Sequence, residues 1–180
     1  MDKKSLRKLF IAERKQMDAA EHRMLNHLVL EGVRRVLSEQ PIKKLGIYYP
    51  FLNEVDLRDL KKDYAVYYPK IENDEIVFYE DRGTFEKSSF GVWEPKGGIP
   101  IDKAVLDAVL VPGLVYDDGL YRLGYGKGYY DAFLKDFPGL KIGVCFERFR
   151  MEALPNKPHD IPVDILVTDN QIYENVHNEL

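Results

Sequence analysis

The stretch RLGYGKGYYD, Arg122 to Asp131, sets three glycines on alternate positions around a lone lysine and closes on two tyrosines and an aspartate. Gly124, Gly126 and Gly128 carry no Cβ, so the backbone there can take positive φ and approach a ligand closely. Arg122 and Lys127 add full positive charge, and free N–H groups at a helix start favour a bound anion. That combination suits a polyphosphate. The standard phosphate motifs do not fit. A P-loop needs Ser or Thr after its lysine, where Gly128 stands, and a glycine five residues before Gly126, where Tyr121 stands. The dinucleotide pattern GxGxxG fails as well. A tight turn with no ligand is the plain alternative. An RNA-binding strand is a third reading, since the stretch echoes RNP1. Its aromatics Tyr129 and Tyr130 are adjacent instead of alternating, which argues against it.

The elements around the stretch decide what it can face. DKKSLRKLFIAERKQM reads as a helix, with Leu6, Leu9, Phe10 and Met17 at roughly helical spacing. Asp18 reads as the N-cap of a second helix ending near Pro41, with Glu21 as its capping-box partner. The period then changes. KLGIYYP reads as a short strand followed by a loop, YAVYYP as a strand, DEIVFYE and TFEKSSFGVWEP as strands or a hairpin with irregular ends, and EVDLRDLKKD as a short helix. LDAVLVPGLVYD is a near-continuous apolar run, as expected of a strand covered on both faces. GYYDAFLKDF continues as a helix, LKIGVCFE as a buried strand, and PVDILVTD as the last strand. Alternating strands and helices predict an α/β fold: a single domain over 1–180, with a mostly parallel twisted sheet flanked by helices and two N-terminal helices. The glycine stretch then lies beyond a strand's carboxyl end, where open α/β sheets bind ligands. RMEALPNKPHDIP, with three prolines, reads as a loop able to cover or line a site.

Composition narrows the function. A chain of 180 residues buries enough surface to fold without a disulfide or structural metal. The net charge of −4 argues against a dedicated nucleic-acid binder. The single cysteine, Cys145, lies in an apolar run and reads as a buried thiol. His22, His27, His159 and His177 show no metal-ligand spacing. No signal peptide and no apolar run long enough to span a bilayer is evident, so the expectation is a cytoplasmic protein with no membrane and no obligate protein partner.

VLVPGLVYDDGLYRLGYGKGYYDAFL closely resembles the core motif of the 5-formyltetrahydrofolate cyclo-ligase family, also called methenyltetrahydrofolate synthetases. KKSLRK, YYPFLNEVD, WEP and VDILVTD resemble the family's other blocks, in the family's order, so the resemblance covers nearly the whole chain. It implies ATP- and magnesium-dependent conversion of 5-formyltetrahydrofolate to 5,10-methenyltetrahydrofolate, with release of ADP and phosphate. The formyl oxygen is phosphorylated and the neighbouring folate nitrogen closes the ring. The alternative is a catalytically inactive folate- or nucleotide-binding module of the same fold.

Residue by residue, the resemblance implies the following roles. Lys3, Lys4, Arg7 and Arg14 meet the ATP phosphates; without it, the first helix reads as a solvated basic face. Lys3 and Arg7, at i,i+4, project from one face. Arg122, Leu123, Gly124, Tyr125, Gly126, Lys127, Gly128, Tyr129 and Tyr130 form the rest of the ATP site, with Arg122 and Lys127 as the catalytic cations. Tyr49, Glu54, Tyr125 and Tyr129 contact the folate, with Phe51 and Leu52 as pocket wall. The alternative for Glu54 is a first-turn acid favoured by the helix dipole, and for Tyr49 a core plug. Asp131 and Asp164 are the magnesium ligands; otherwise they are a surface helix residue and a strand-end cap. Trp93 is either core or pocket wall.

Overall fold

The computed structural model describes residues 1–175; His177 lies outside the described residues. Two helices come first, α1 (Lys3–Lys15) and α2 (Ala19–Ser38). Asp2 and Asp18 cap them through their side chains; Asp18 accepts from the amides of Ala20 and Glu21. Glu21 does not complete a capping box. Its carboxylate pairs instead with Arg148, at 2.9 Å.

The strands are β1 (Lys44–Gly46), β2 (Ala65–Glu72), β3 (Glu75–Glu80), β4 (Phe85–Lys87), β5 (Trp93–Pro95), β6 (Pro100–Ile101) and β7 (Ala108–Val111). Then come β8 (Val115–Asp117), β9 (Arg122–Leu123), the short helix α3 (Tyr129–Leu134), β10 (Leu140–Val144), β11 (Arg150–Met151), β12 (Ile165–Val167) and β13 (Ile172–Glu174). Eight of them form one sheet in the order β13-β12-β10-β7-β1-β2-β3-β6. Its five central strands run parallel, and antiparallel strands extend it at both edges. The expected mixed α/β fold with a mostly parallel sheet is the one observed.

Strand β7 shows how the two faces are built. Ala108 and Leu110 join the cluster that α1 and α2 cover, with Val29, Val33 and Leu37. Val109 and Val111 join the cluster under α3, with Phe133, Leu134 and Phe137. Period-two alternation with apolar residues on both sides is what a doubly covered strand requires. Cys145 is 1 % exposed on the α3 side, and burial pushes its thiol up to about 12.

Three expectations need correction. LDAVLVPGLVYD is two strands, not one. Pro112 and Gly113 end β7, and β8 leaves the main sheet to pair with β9 and β11. Proline has no N–H to give the ladder. EVDLRDLKKD forms only a 3₁₀ turn, Arg58–Lys62. PVDILVTD is not the last strand, because β13 returns antiparallel along β12. Among the described residues no helix is long and apolar enough to cross a membrane.

Candidate active site

Residues beyond the carboxyl ends of β1 and β7, together with β2, line one cavity of about 680 Å³. The break after β7 matters here. The β8–β9 excursion brings the chain back beside Pro112, where Leu114 N–H donates to Leu123 O at 2.7 Å. The glycine stretch therefore starts at the end of β7 although ten residues of sequence, 112–121, intervene.

Cations line one side. Lys3 and Arg7, on one face of α1, reach the cavity, and Arg7 Nε donates to Gly124 O at 2.9 Å. Arg122 Nη1 donates to Pro112 O at 3.2 Å, and its guanidinium lies 5.1 Å from the Tyr130 ring centre. Lys127 is exposed and stands 5.8 Å from the ring centre of Phe90, on the β4–β5 connection. Gly126 and Gly128 take φ of +99° and +71°, a conformation other residues adopt only under strain. Gly124 is different: its φ is not positive, but a Cβ there would sit 2.7 Å from Arg122 Nη1. The helix that follows has only six residues, so charge at this wall comes mainly from the side chains.

Rings and a carboxylate complete the lining. Tyr49 receives a hydrogen bond from Arg58 at 2.9 Å, and that guanidinium lies 4.6 Å from its ring centre. Phe51 and Tyr125 meet edge to face at 5.9 Å, and Tyr125 is 43 % exposed. Trp93 lines the cavity and is half exposed, so it is wall and not core. Glu54 is 6 % exposed on the floor. Its Oε1 accepts the Phe51 N–H at 2.7 Å, across a turn with Leu52 and Asn53 at φ of 50° and 55°. Burial pushes the Glu54 carboxyl up to about 7, against the opposing pull of Arg14, the Phe51 amide and Arg122. Burial likewise raises the hydroxyls of Tyr125 and Tyr130, and Tyr130 OH is buried with no hydrogen-bond partner.

Most of the sequence-predicted residues thus meet around one space: Lys3, Arg7, Tyr49, Phe51, Glu54 and the run from Arg122 to Asp131. Three do not. Lys4 is exposed on α1 and does not line the cavity. Arg14 is 2 % exposed beneath the floor, where Nη2 donates to Gly113 O at 2.6 Å and Leu114 O at 2.9 Å. Its expected phosphate contact has no route through that packing. Asp164 precedes β12, at the other end of the parallel strands from the cavity. There it accepts the Lys141 N–H at 2.9 Å and lies 3.8 Å from Lys141 Nζ. It has the strand-end role and does not converge with Asp131. As a magnesium pair the two do not fit. Asp131 alone fits, as one carboxylate facing the cavity, because magnesium commonly takes its remaining ligands from water and phosphates. Among the described residues no three His, Cys, Asp or Glu side chains cluster as a metal site.

Sequence reasoning missed Lys157, His159 and Asp160, which line the cavity from the three-proline loop. Asp160 accepts Lys3 Nζ and the Lys157 N–H, both at 2.8 Å, and Asp131 Oδ1 accepts the Ile161 N–H at 3.1 Å. Burial would raise the Asp160 carboxyl, but these partners hold it below the usual carboxylate range. The prolines signalled a loop able to line a site; nothing in the sequence signalled a contact spanning 157 positions.

These features define a class: an α/β protein whose cleft, at the carboxyl ends of parallel strands, gathers cations, rings and a buried carboxylate. Residues 1–169 match the model of the 5-formyltetrahydrofolate cyclo-ligase family, and the chain belongs to that family of enzymes. It is 28 % identical over 180 residues to a 5-formyltetrahydrofolate cyclo-ligase of Mycoplasma pneumoniae, covering 94 % of this chain and 99 % of the relative. The NMR structure of Aquifex aeolicus 5,10-methenyltetrahydrofolate synthetase superposes with a TM-score of 0.86 at 35 % identity, over 98 % of this chain and 94 % of that one. The Mycoplasma pneumoniae 5,10-methenyltetrahydrofolate synthetase structure superposes with a TM-score of 0.79 at 27 % identity, over 94 % and 99 %.

Proposed function

We propose that this chain, as one domain over 1–180, converts 5-formyltetrahydrofolate to 5,10-methenyltetrahydrofolate at the expense of ATP, in the cytoplasm. The observation that carries this reading is the meeting of two distant cationic segments with a buried carboxylate and exposed rings around one cavity. A triphosphate needs the first and a flat, N–H-bearing ring system the second.

The formyl oxygen of the substrate takes the γ-phosphoryl group, and ADP leaves. This step is needed because an amide oxygen is a poor leaving group. The neighbouring folate nitrogen then attacks the activated carbon and loses its proton, and phosphate departs with the former formyl oxygen. Lys3, Arg7, Arg122 and Lys127 neutralise the phosphates and the charge that moves during transfer. Amides of the glycine loop approach the same oxygens. Glu54 accepts from ring N–H groups of the folate, and Tyr49, Tyr125 and Tyr129 bound its ring. Asp131 would hold magnesium, which when bound would screen phosphate charge. No enzyme nucleophile is required, and positioning carries the catalysis.

The test is the near-ultraviolet absorbance of methenyltetrahydrofolate, followed with ATP and magnesium present and with each withheld. Product should form only with both. A folded preparation that forms none would sink the reading, and binding of both ligands without turnover would favour the inactive module.

A further inference from the structure

Arg14 is a buried guanidinium whose partners are carbonyl oxygens and not a carboxylate. Its Nε has no hydrogen-bond partner, and its Cζ lies 4.8 Å from the Phe149 ring centre. A charge that stays ionised is costly to bury, and an apolar side chain would fill this space at less cost. What the arginine contacts gives the reason for keeping it.

The side chain holds one half of the cavity. Nη2 binds the carbonyls of Gly113 and Leu114, in the turn that ends β7. Leu114 N–H binds Leu123 O at 2.7 Å, so that turn fixes the entrance to the glycine loop. The main chain of the same residue holds the other half. Asn53 Nδ2 donates to Arg14 O at 2.7 Å, and Asn53 is one of the two left-handed residues in the turn that presents Glu54. The guanidinium charge also opposes the effect of burial on Glu54, second only to that burial in size.

We propose that Arg14 is a positioning residue that locks the Glu54 turn to the entrance of the glycine loop, fixing the spacing between the folate-side and phosphate-side groups. It touches neither substrate. The inference rests on the cyclo-ligase reading of the cavity.

Equilibrium binding of 5-formyltetrahydrofolate and of ATP to the full chain, measured separately by calorimetry, tests it without requiring turnover. Asn53→Asp keeps a residue that tolerates the left-handed backbone but puts an acceptor against the Arg14 carbonyl. It should weaken 5-formyltetrahydrofolate about tenfold and leave ATP unchanged. Arg14→Lys keeps the charge and loses the fork. It should weaken both ligands and lower kcat about a hundredfold, with the native circular dichroism spectrum retained. Asn53 is exposed, so its variant carries the test if the lysine variant fails to fold. Wild-type affinities in Asn53→Asp, or wild-type affinities and kcat in a folded Arg14→Lys, would overturn the proposal and leave Arg14 a brace of the core. Binding without turnover by the wild type would remove only the catalytic reading, and the affinity shifts would still report on Arg14. Failure of the wild type to bind either ligand would end both.

Discussion

Glu54→Gln is the most informative single change, because the structure fixes both the sign and the size of its effect. The carboxyl rises from 4.5 to about 7 on folding, chiefly because it is buried at 6 % exposure. Folding therefore takes up a proton across this window. The stabilising contribution is complete below the unfolded value and is lost as pH climbs through the folded one. At about 1.4 kcal/mol per pH unit, the interval amounts to about 3 kcal/mol. A carboxamide at this position still accepts the Phe51 N–H but does not titrate. The variant's unfolding free energy, relative to wild type, should thus improve by about 3 kcal/mol from pH 4.5 to pH 8. Urea titrations of both unligated proteins at half-unit pH steps measure that difference, and carboxylates common to both cancel from it. A difference that stays flat across the window would refute the buried-carboxyl argument. The kinetic counterpart is a KM for the folate that rises below pH 7 in wild type, as the accepting carboxylate is lost, but not in the variant.

Lys127→Ala should lower kcat about a hundredfold with the melting temperature unchanged, since this exposed side chain supports no buried packing; wild-type kinetics would remove Lys127 from the phosphate site. Gly126→Ala forces a side chain into φ of +99°, with its Cβ 3.3 Å from the Arg7 guanidinium carbon. The expected cost is about 1–2 kcal/mol, read as a fall of a few degrees in Tm, with KM raised for ATP more than for the folate. Asp131→Asn should raise the magnesium concentration for half-maximal rate about tenfold, whereas Asp164→Asn should leave it unchanged and lose some stability at the Lys141 cap. The reverse pattern would contradict the placement of the two aspartates. Cys145, 1 % exposed with its thiol raised to about 12, should not react with a thiol reagent in native buffer at pH 8 and should react on denaturation.

The parts of this structure legible in the sequence are those written in local pattern. The Asp18 cap, the apolar stripe of α2, the β7 run and the positive-φ glycines each follow from residues a few positions apart. What escaped depends on distance or on competition between equal burials. VLV and LVYD are both fully buried, so hydropathy alone cannot divide them between two sheets; only Pro112 marks the break. Arg14 and Lys3 look alike as basic residues on one helix. One turns under the floor to carbonyls near residue 113, and the other reaches Asp160. Asp131 and Asp164 both sit at element starts, and only the strand direction puts them at opposite ends of the sheet. The family resemblance supplied the folate; residue chemistry alone supplied an anion site beside rings.

Two polar clusters in this protein differ in how their groups are partnered. In the first, Arg150 binds Glu147, Tyr173 and Asp118 at 3.1, 2.9 and 2.7 Å, and Tyr173 binds Glu147 at 2.7 Å. Its charges are paired, although Arg150 Nε has no hydrogen-bond partner, and it ties β13 to the body of the fold. The second lies at the cavity, where Lys3 pairs with Asp160 but three other polar groups lack such a partner. Glu54 is buried against backbone and distant cations, Arg14 against carbonyls, and Tyr130 OH against nothing. Leu52 adds backbone strain of about 1 kcal/mol or more. The sheet does not need these features, because apolar clusters on both of its faces hold it together. A ligand that enters this space and meets these groups stabilises the folded state by an amount set by its affinity and concentration. Glu54, Arg122 and Tyr130 all line that cavity, and with Lys3 and Arg7 of α1 they mark it as the site the family's chemistry would use.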